Sequence, residues 1–158
     1  MENLKILFNE EQIQAKIKET AEKLNDLYGE EEVYAVCVLK GAVMFAVDLV
    51  KHLKMPLKME FIRLSSYNGG TSSSGKVNAV DISLPDLNGK NVLIIEDIVD
   101  TGLTAKFLLD FISNNFHTKS TKFGSSFPRR PKWKNTQSCS TVCCWPERGR
   151  PHRSTFRR

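Results

Sequence analysis

Two apolar runs without polar interruption restrict the possible folds of this chain more than any other feature. "VYAVCVL" spans residues 33–39, and "NVLIIE" spans 91–96. A strand with one face in water alternates apolar and polar side chains, so a β-rich run without alternation has to be covered on both faces. Each run leads into a helical pattern that can supply such a cover. "GAVMFAVDLVKHL" (41–53) opens with a glycine after the first run, and "TAKFLLDFISNNF" (104–116) follows the second, with Phe107, Leu108, Phe111 and Ile112 on one face.

The intervening segments fit the same scheme. Asn9 with Gln12 three residues on reads as a helix start, followed by Ile13, Ile17, Ala21, Leu24 and Tyr28 at helical spacing and by Gly29 as a stop, which predicts a helix over 10–28. After Pro56, "LKMEFIRL" alternates at period two and predicts a less buried strand. "SSYNGGTSSSG" (65–75) holds five serines and three glycines in eleven residues, too polar to pack, and is expected to be a loop. A short strand at 77–82 and turn chemistry in "PDLNGK" precede the second apolar run. Strand, helix and strand in alternation predict an open, mostly parallel α/β sheet flanked by helices, with ligands at the carboxyl ends of its strands.

With 158 residues and 41% hydrophobic content, one domain with a real core is expected. No apolar run approaches the roughly 18–20 residues of a membrane helix, and "MENLKILFNEEQ" lacks a basic segment followed by an apolar one, so a cytoplasmic protein without membrane association is expected. The net charge of +5 hints at nucleic acid only until it is divided by position. Residues 1–118 hold 12 basic and 17 acidic side chains, whereas residues 119–158 hold 11 and 1. Val142 is the sole aliphatic side chain larger than alanine in that second segment, which offers no strand or helix face and is read as a basic, disordered or badly packed tail. A basic tail binds phosphate electrostatically without a folded site, so no specific nucleic-acid partner is inferred. Cys37 reads as a core thiol, and Cys139, Cys143 and Cys144 lack zinc-site spacing. His52 and His117, near helix ends without an acidic or nucleophilic neighbour in sequence, are read as structural.

The chemistry concentrates at the mouth of the second apolar run, where Glu96 and Asp97 are followed by Asp100-Thr101-Gly102-Leu103-Thr104. A helix start presents N–H groups and a positive dipole end to a phosphate; Thr101 and Thr104 add hydroxyl donors, and Gly102 permits close approach of the backbone. Adjacent carboxylates instead suit sugar hydroxyls or a hydrated Mg2+, and a third carboxylate can take a proton. A ligand carrying a sugar diol, a phosphate and a metal satisfies both halves.

"VLIIEDIVDTGLT" resembles the phosphoribosyl pyrophosphate (PRPP) signature of type I phosphoribosyltransferases. With "VLKGA" at 38–42 and "SSYNGGTSSSG", residues 4–122 are similar specifically to the bacterial hypoxanthine-guanine members of that family. The resemblance implies a Rossmann-like fold and Mg2+-dependent transfer of a 5-phosphoribosyl group from PRPP to N9 of hypoxanthine or guanine, giving IMP or GMP and pyrophosphate in purine salvage. It implies that Glu96 and Asp97 hold the ribose hydroxyls directly or through Mg2+, that Asp100 is the general base at purine N7, and that Thr101, Gly102, Leu103 and Thr104 wrap the 5′-phosphate. Leu39, Lys40 and Gly41 would form the pyrophosphate loop, where the family often holds a non-proline cis peptide. Ser66 and Tyr67 would belong to a mobile loop that closes over the pyrophosphate. The family also implies a homo-oligomer, dimer or tetramer.

The resemblance fades after "KSTK". The family continues there into hydrophobic strands that supply the purine contacts, and this chain loses the pattern as a shifted reading frame near 120–125 would make it do. The sequence therefore divides into a core over 1–118, incomplete at its C-terminal end, and a mis-framed tail over 119–158, with the purine-binding residues unknown and activity impaired. Transfer to another base such as xanthine stays open, as does a non-enzymatic, RNA-binding regulator on the same fold. A phosphoaspartate phosphatase is disfavoured, because Asp97 and Asp100 are three apart instead of two.

Overall fold

The computed structural model describes residues 8–66, 77–99, 102–128 and 139–143. Helix α1 (Glu10–Tyr28) begins where local chemistry places it: the Asn9 side chain accepts from the Gln12 N–H at 2.8 Å, and the Gln12 side chain accepts from the Asn9 N–H at 3.0 Å. Gly29 ends it, donating its N–H to the Asn25 carbonyl. The buried stripe of α1 is Ile17, Thr20, Ala21, Leu24 and Tyr28, with Ile13 half-buried at its edge.

Strands β1 (Val33–Leu39), β2 (Leu57–Ser66), β3 (Val77–Asp81), β4 (Asn91–Val99), β5 (Ser120–Pro128) and β6 (Cys139–Cys143) make one sheet in the order β3-β2-β1-β4-β5-β6. Every neighbouring pair is parallel except β2 with β3. Helix α2 (Val43–Val50) joins β1 to β2, and α3 (Leu103–Asn115) joins β4 to β5. The unbroken apolar runs are explained by two cores. Val33, Ala35 and Cys37 of β1, with Leu93 and Ile95 of β4, pack with α1 and α2 on one face. Tyr34, Val36 and Val38, with Val92 and Ile94, pack with α3 on the other. Among the described residues no helix is long and apolar enough to cross a membrane.

Several boundaries differ from the sequence pattern. Helix α2 starts at Val43, two residues after the glycine, and ends at Val50. Strand β2 runs on to Ser66, into the serine-rich segment, and β4 runs three residues past Glu96. The buried face of α3 is Ala105, Leu108, Leu109 and Ile112, while Phe107 and Phe111 are half-buried and stack on each other with ring centroids 6.3 Å apart.

The largest difference lies beyond Lys119, where the pattern offers no strand and the structure has β5 and β6. A parallel ladder is bonded through the backbone, so it forms without apolar alternation once a neighbouring strand supplies the edge. Phe123 helps to dock it, 2% exposed in the core under α3. Burial of such a ring is worth about 1.5–3 kcal/mol.

A row of polar contacts levels the amino ends of β1, β4 and β5. Asn91, in register with Val33 and Ser120, donates to the Glu31 carboxylate at 2.7 Å and accepts from the Ser120 hydroxyl at 2.8 Å, while Lys119 reaches both Glu31 oxygens at 2.8 Å. These contacts, the lysine first, hold the Glu31 carboxyl below the usual range. The strands start level at one end, and their opposite ends carry the residues of interest.

Candidate active site

The chain leaves β1 for β2 in one direction and β4 for β5 in the other. Between β1 and β4 the strand order reverses, and in open α/β sheets the crevice beyond the carboxyl ends at such a point is where ligands bind. The segment Leu39–Gly41 follows β1 into this crevice, and Glu96 and Asp97 stand near the end of β4 beside it.

Glu96 is 9% exposed, and its carboxyl is pushed up to about 7, first by burial and then by the neighbouring Asp97 charge. It is thus poised to hold or release a proton near neutrality, and a cation placed beside it would favour the charged form. Asp97 is half-buried, and its Oδ1 accepts from the Ile98 N–H at 2.8 Å. The Asp97 carboxylate lies against the Gly41 backbone so closely that a Cβ there would stand 2.0 Å from Oδ2 and 2.8 Å from Cγ. Gly41 is therefore glycine for lack of space, and residues 56 positions apart in sequence form one surface. The Leu39–Lys40 peptide bond is cis, as the resemblance leads one to expect, and the Lys40 side chain is exposed.

Gly102 opens α3 in the left-handed conformation, φ 79°, which a residue with a Cβ adopts reluctantly. The helix start has no side-chain cap bond and no acidic residue in its first turn. Leu103 is 46% exposed and Thr104 half-buried at that start. The first-turn N–H groups of a helix have no acceptors within the helix, so this end is suited to an anion. Ser66 ends β2, while Tyr67, Asp100 and Thr101 lie outside the described residues. The structure therefore brings together Gly41, Glu96 and Asp97 among the residues expected from sequence, with the α3 start following β4.

Two features escaped the sequence. The Gly41–Asp97 contact is one, and Ser125 on β5 is the other. Ser125 is fully buried, pairs in register with Glu96, and donates its hydroxyl to the Asp97 carbonyl at 3.2 Å. No sequence signal marks a lone serine in a polar segment. Below the site, Cys37 is buried in the core, and burial, with the Asp97 charge adding to it, pushes its thiol up, away from thiolate chemistry.

The Phosphoribosyl transferase domain family matches residues 3–148 of the chain. The chain belongs to this phosphoribosyltransferase family. Over 106 residues it is 44% identical to a hypoxanthine-guanine phosphoribosyltransferase of Streptococcus thermophilus and 42% identical to that of Bacillus subtilis, each match covering 67% of this chain. The chain spans 59% of the length of these relatives. Solved structures of phosphoribosyltransferases also superpose on the chain. A crystal structure of a Bacillus anthracis hypoxanthine-guanine phosphoribosyltransferase superposes with a TM-score of 0.76 at 35% identity, covering 90% of this chain and 86% of that one. A Trypanosoma cruzi hypoxanthine phosphoribosyltransferase gives 0.75 at 36% identity, with 88% and 76% covered.

Proposed function

We propose that the chain transfers the 5-phosphoribosyl group of PRPP to N9 of hypoxanthine or guanine, releasing pyrophosphate and forming IMP or GMP. The observation that carries this reading is the packing of the Asp97 carboxylate on Gly41 at the sheet's switch point. It joins a glycine loop fit for pyrophosphate to an acid pair fit for a ribose diol, as a ligand bearing both requires.

In this reading Leu39, Lys40 and Gly41 hold the pyrophosphate, and Thr101, Gly102, Leu103 and Thr104 hold the 5′-phosphate at the start of α3. Glu96 and Asp97 hold the two ribose hydroxyls. A Glu96 carboxyl that titrates near neutrality can donate to or accept from such a hydroxyl. Asp100 takes the purine proton at N7, and Ser66 and Tyr67 close over the pyrophosphate, excluding water while the ribose C1 carries oxocarbenium character.

The donors present suit Mg2+. Glu96 and Asp97 are consecutive carboxylates near the end of β4 whose charges interact, oxygen donors of the kind Mg2+ takes while it keeps substrate oxygens and water in its shell. When bound, the ion would screen the pyrophosphate charge as the glycosidic bond opens. Glu96 and Asp97 are the residues that would hold it.

In this reading residues 1–118, completed by strand β5, carry the PRPP half of the reaction, and the purine contacts that the family places further along the chain are lost in the tail beyond β5, so base transfer is impaired while PRPP binding persists. The same reading makes the protein cytoplasmic and assembles it as a dimer or tetramer. Calorimetric titration with PRPP and Mg2+, alongside IMP formation from hypoxanthine, tests it. Measurable PRPP binding with slow IMP formation is expected; absence of PRPP binding refutes the function, and near-normal turnover refutes the impairment.

A further inference from the structure

We propose that Ser125 is a positioning residue for the PRPP site, orienting the Asp97–Ile98 peptide and through it the Asp97 carboxylate. The assignment rests on the function proposed above. Strands β4 and β5 pair in parallel from Asn91↔Ser120 to Glu96↔Ser125, and the register resumes at Ile98↔Phe127, passing over Asp97. At that level the Ser125 hydroxyl donates to the Asp97 carbonyl at 3.2 Å, from a side chain with no exposure to solvent.

That carbonyl belongs to the same planar peptide unit as the Ile98 N–H. The Ile98 N–H in turn donates to Asp97 Oδ1 at 2.8 Å. Rotation of this one plane therefore moves both groups together, and Ser125 grips its carbonyl side. On the far side of Asp97 the carboxylate is already against Gly41, with no room for even a Cβ between them. A small rotation of the peptide thus either presses the carboxylate into the Gly41 backbone or withdraws it from the crevice. Asp97 is held between two neighbouring strands: β5 supplies a hydroxyl for its main chain, and the loop after β1 supplies a bare Cα for its side chain. Glu96 lies one residue earlier on the same strand, level with Ser125.

Removing the hydroxyl takes a donor from the part-buried Asp97 carbonyl without changing any group proposed to meet the ligand. Ser125→Ala is expected to bind PRPP with Mg2+ roughly fivefold to tenfold more weakly in calorimetric titration. Its melting temperature should fall by only about 2–4 °C, as for loss of one interior bond in a domain of this size. Ser125→Thr keeps the hydroxyl and should restore affinity. Asn91→Ala, at the opposite end of β4, should lower the melting temperature while binding PRPP as the parent does, separating general weakening of the sheet from loss of position. Ser125→Ala binding PRPP as tightly as the parent, or Ser125→Thr binding no better than Ser125→Ala, overturns the role of Ser125 alone. A parent chain without PRPP affinity overturns the proposed function and this assignment with it.

Discussion

Gly41→Ala tests the contact on which the functional reading depends. The added methyl would start 2.0 Å from Asp97 Oδ2, and ordinary contact begins at 3.4 Å, so the carboxylate or the loop has to retreat by well over 1 Å. Backbone conformation is not the obstacle, because the positive-φ glycines of the chain are Gly29, Gly89 and Gly102 among the described residues. The strain is purely steric, and the more mobile partner is the Asp97 side chain. Its retreat takes Oδ1 from the Ile98 N–H and moves the carboxylate from where the proposed function needs it for the ribose. A hydrogen bond to a charged group is worth about 1.5–3 kcal/mol, so PRPP affinity should fall by roughly tenfold to a hundredfold. The fold should survive, since Gly41 is exposed and belongs to neither apolar core. Calorimetric PRPP titration with a thermal melt separates the two effects. In an Asp97→Ala background the same glycine change should have almost no further effect on PRPP affinity, because the group it collides with is gone. Wild-type PRPP affinity in Gly41→Ala refutes the reasoning, as does an equal loss of affinity in both backgrounds.

Glu96→Gln should reshape the pH dependence of stability. The Glu96 carboxyl is raised from 4.5 to about 7, so the folded state retains a proton that the unfolded state releases, and the parent loses stability as pH rises from 4.5 through 7. The ligand-free glutamine variant should therefore be the more stable at pH 8, by at most about 3 kcal/mol, with the advantage gone below pH 4.5; melts at both pH values check this, and an unchanged difference refutes the buried-acid account. Asp100→Asn should leave PRPP affinity within about twofold while slowing IMP formation by 10²–10⁴, as expected for loss of a general base, and equal loss of binding and turnover would contradict its role. Phe123→Ala should destabilise the chain by about 3–5 kcal/mol in urea unfolding, because it empties a core position under α3; a change below about 1 kcal/mol would show that β5 is not docked by its ring.

Helix α1 shows what short-range chemistry encodes. Its cap, its stripe and its stop all lie within Asn9–Gly29, and each involves bonds between residues three or four apart. The apolar runs of β1 and β4 were legible for a related reason: burial on both faces leaves a pattern in the strand itself, whatever covers it. The acidic strand end was legible as chemistry because Glu96, Asp97 and the Gly102–Thr104 helix start lie within one stretch of nine residues. Strand β5 was not, since "STKFGSSFP" holds few apolar residues and its ladder is made by backbone groups that every sequence possesses.

A parallel α/β sheet covered on both faces, an acidic strand end running into a helix start, and membership in the phosphoribosyltransferase family could all be read from the chain alone. Those are properties of contiguous residues, written in spacing and burial pattern. Only the tertiary structure decided that Gly41 leaves room for Asp97, that Glu96 is buried enough to titrate near 7, and that Ser125 grips the Asp97 carbonyl from 28 residues away. Each depends on which strands become neighbours and in what register, and register is set by the packing of the whole sheet, not by any residue's neighbours in the chain.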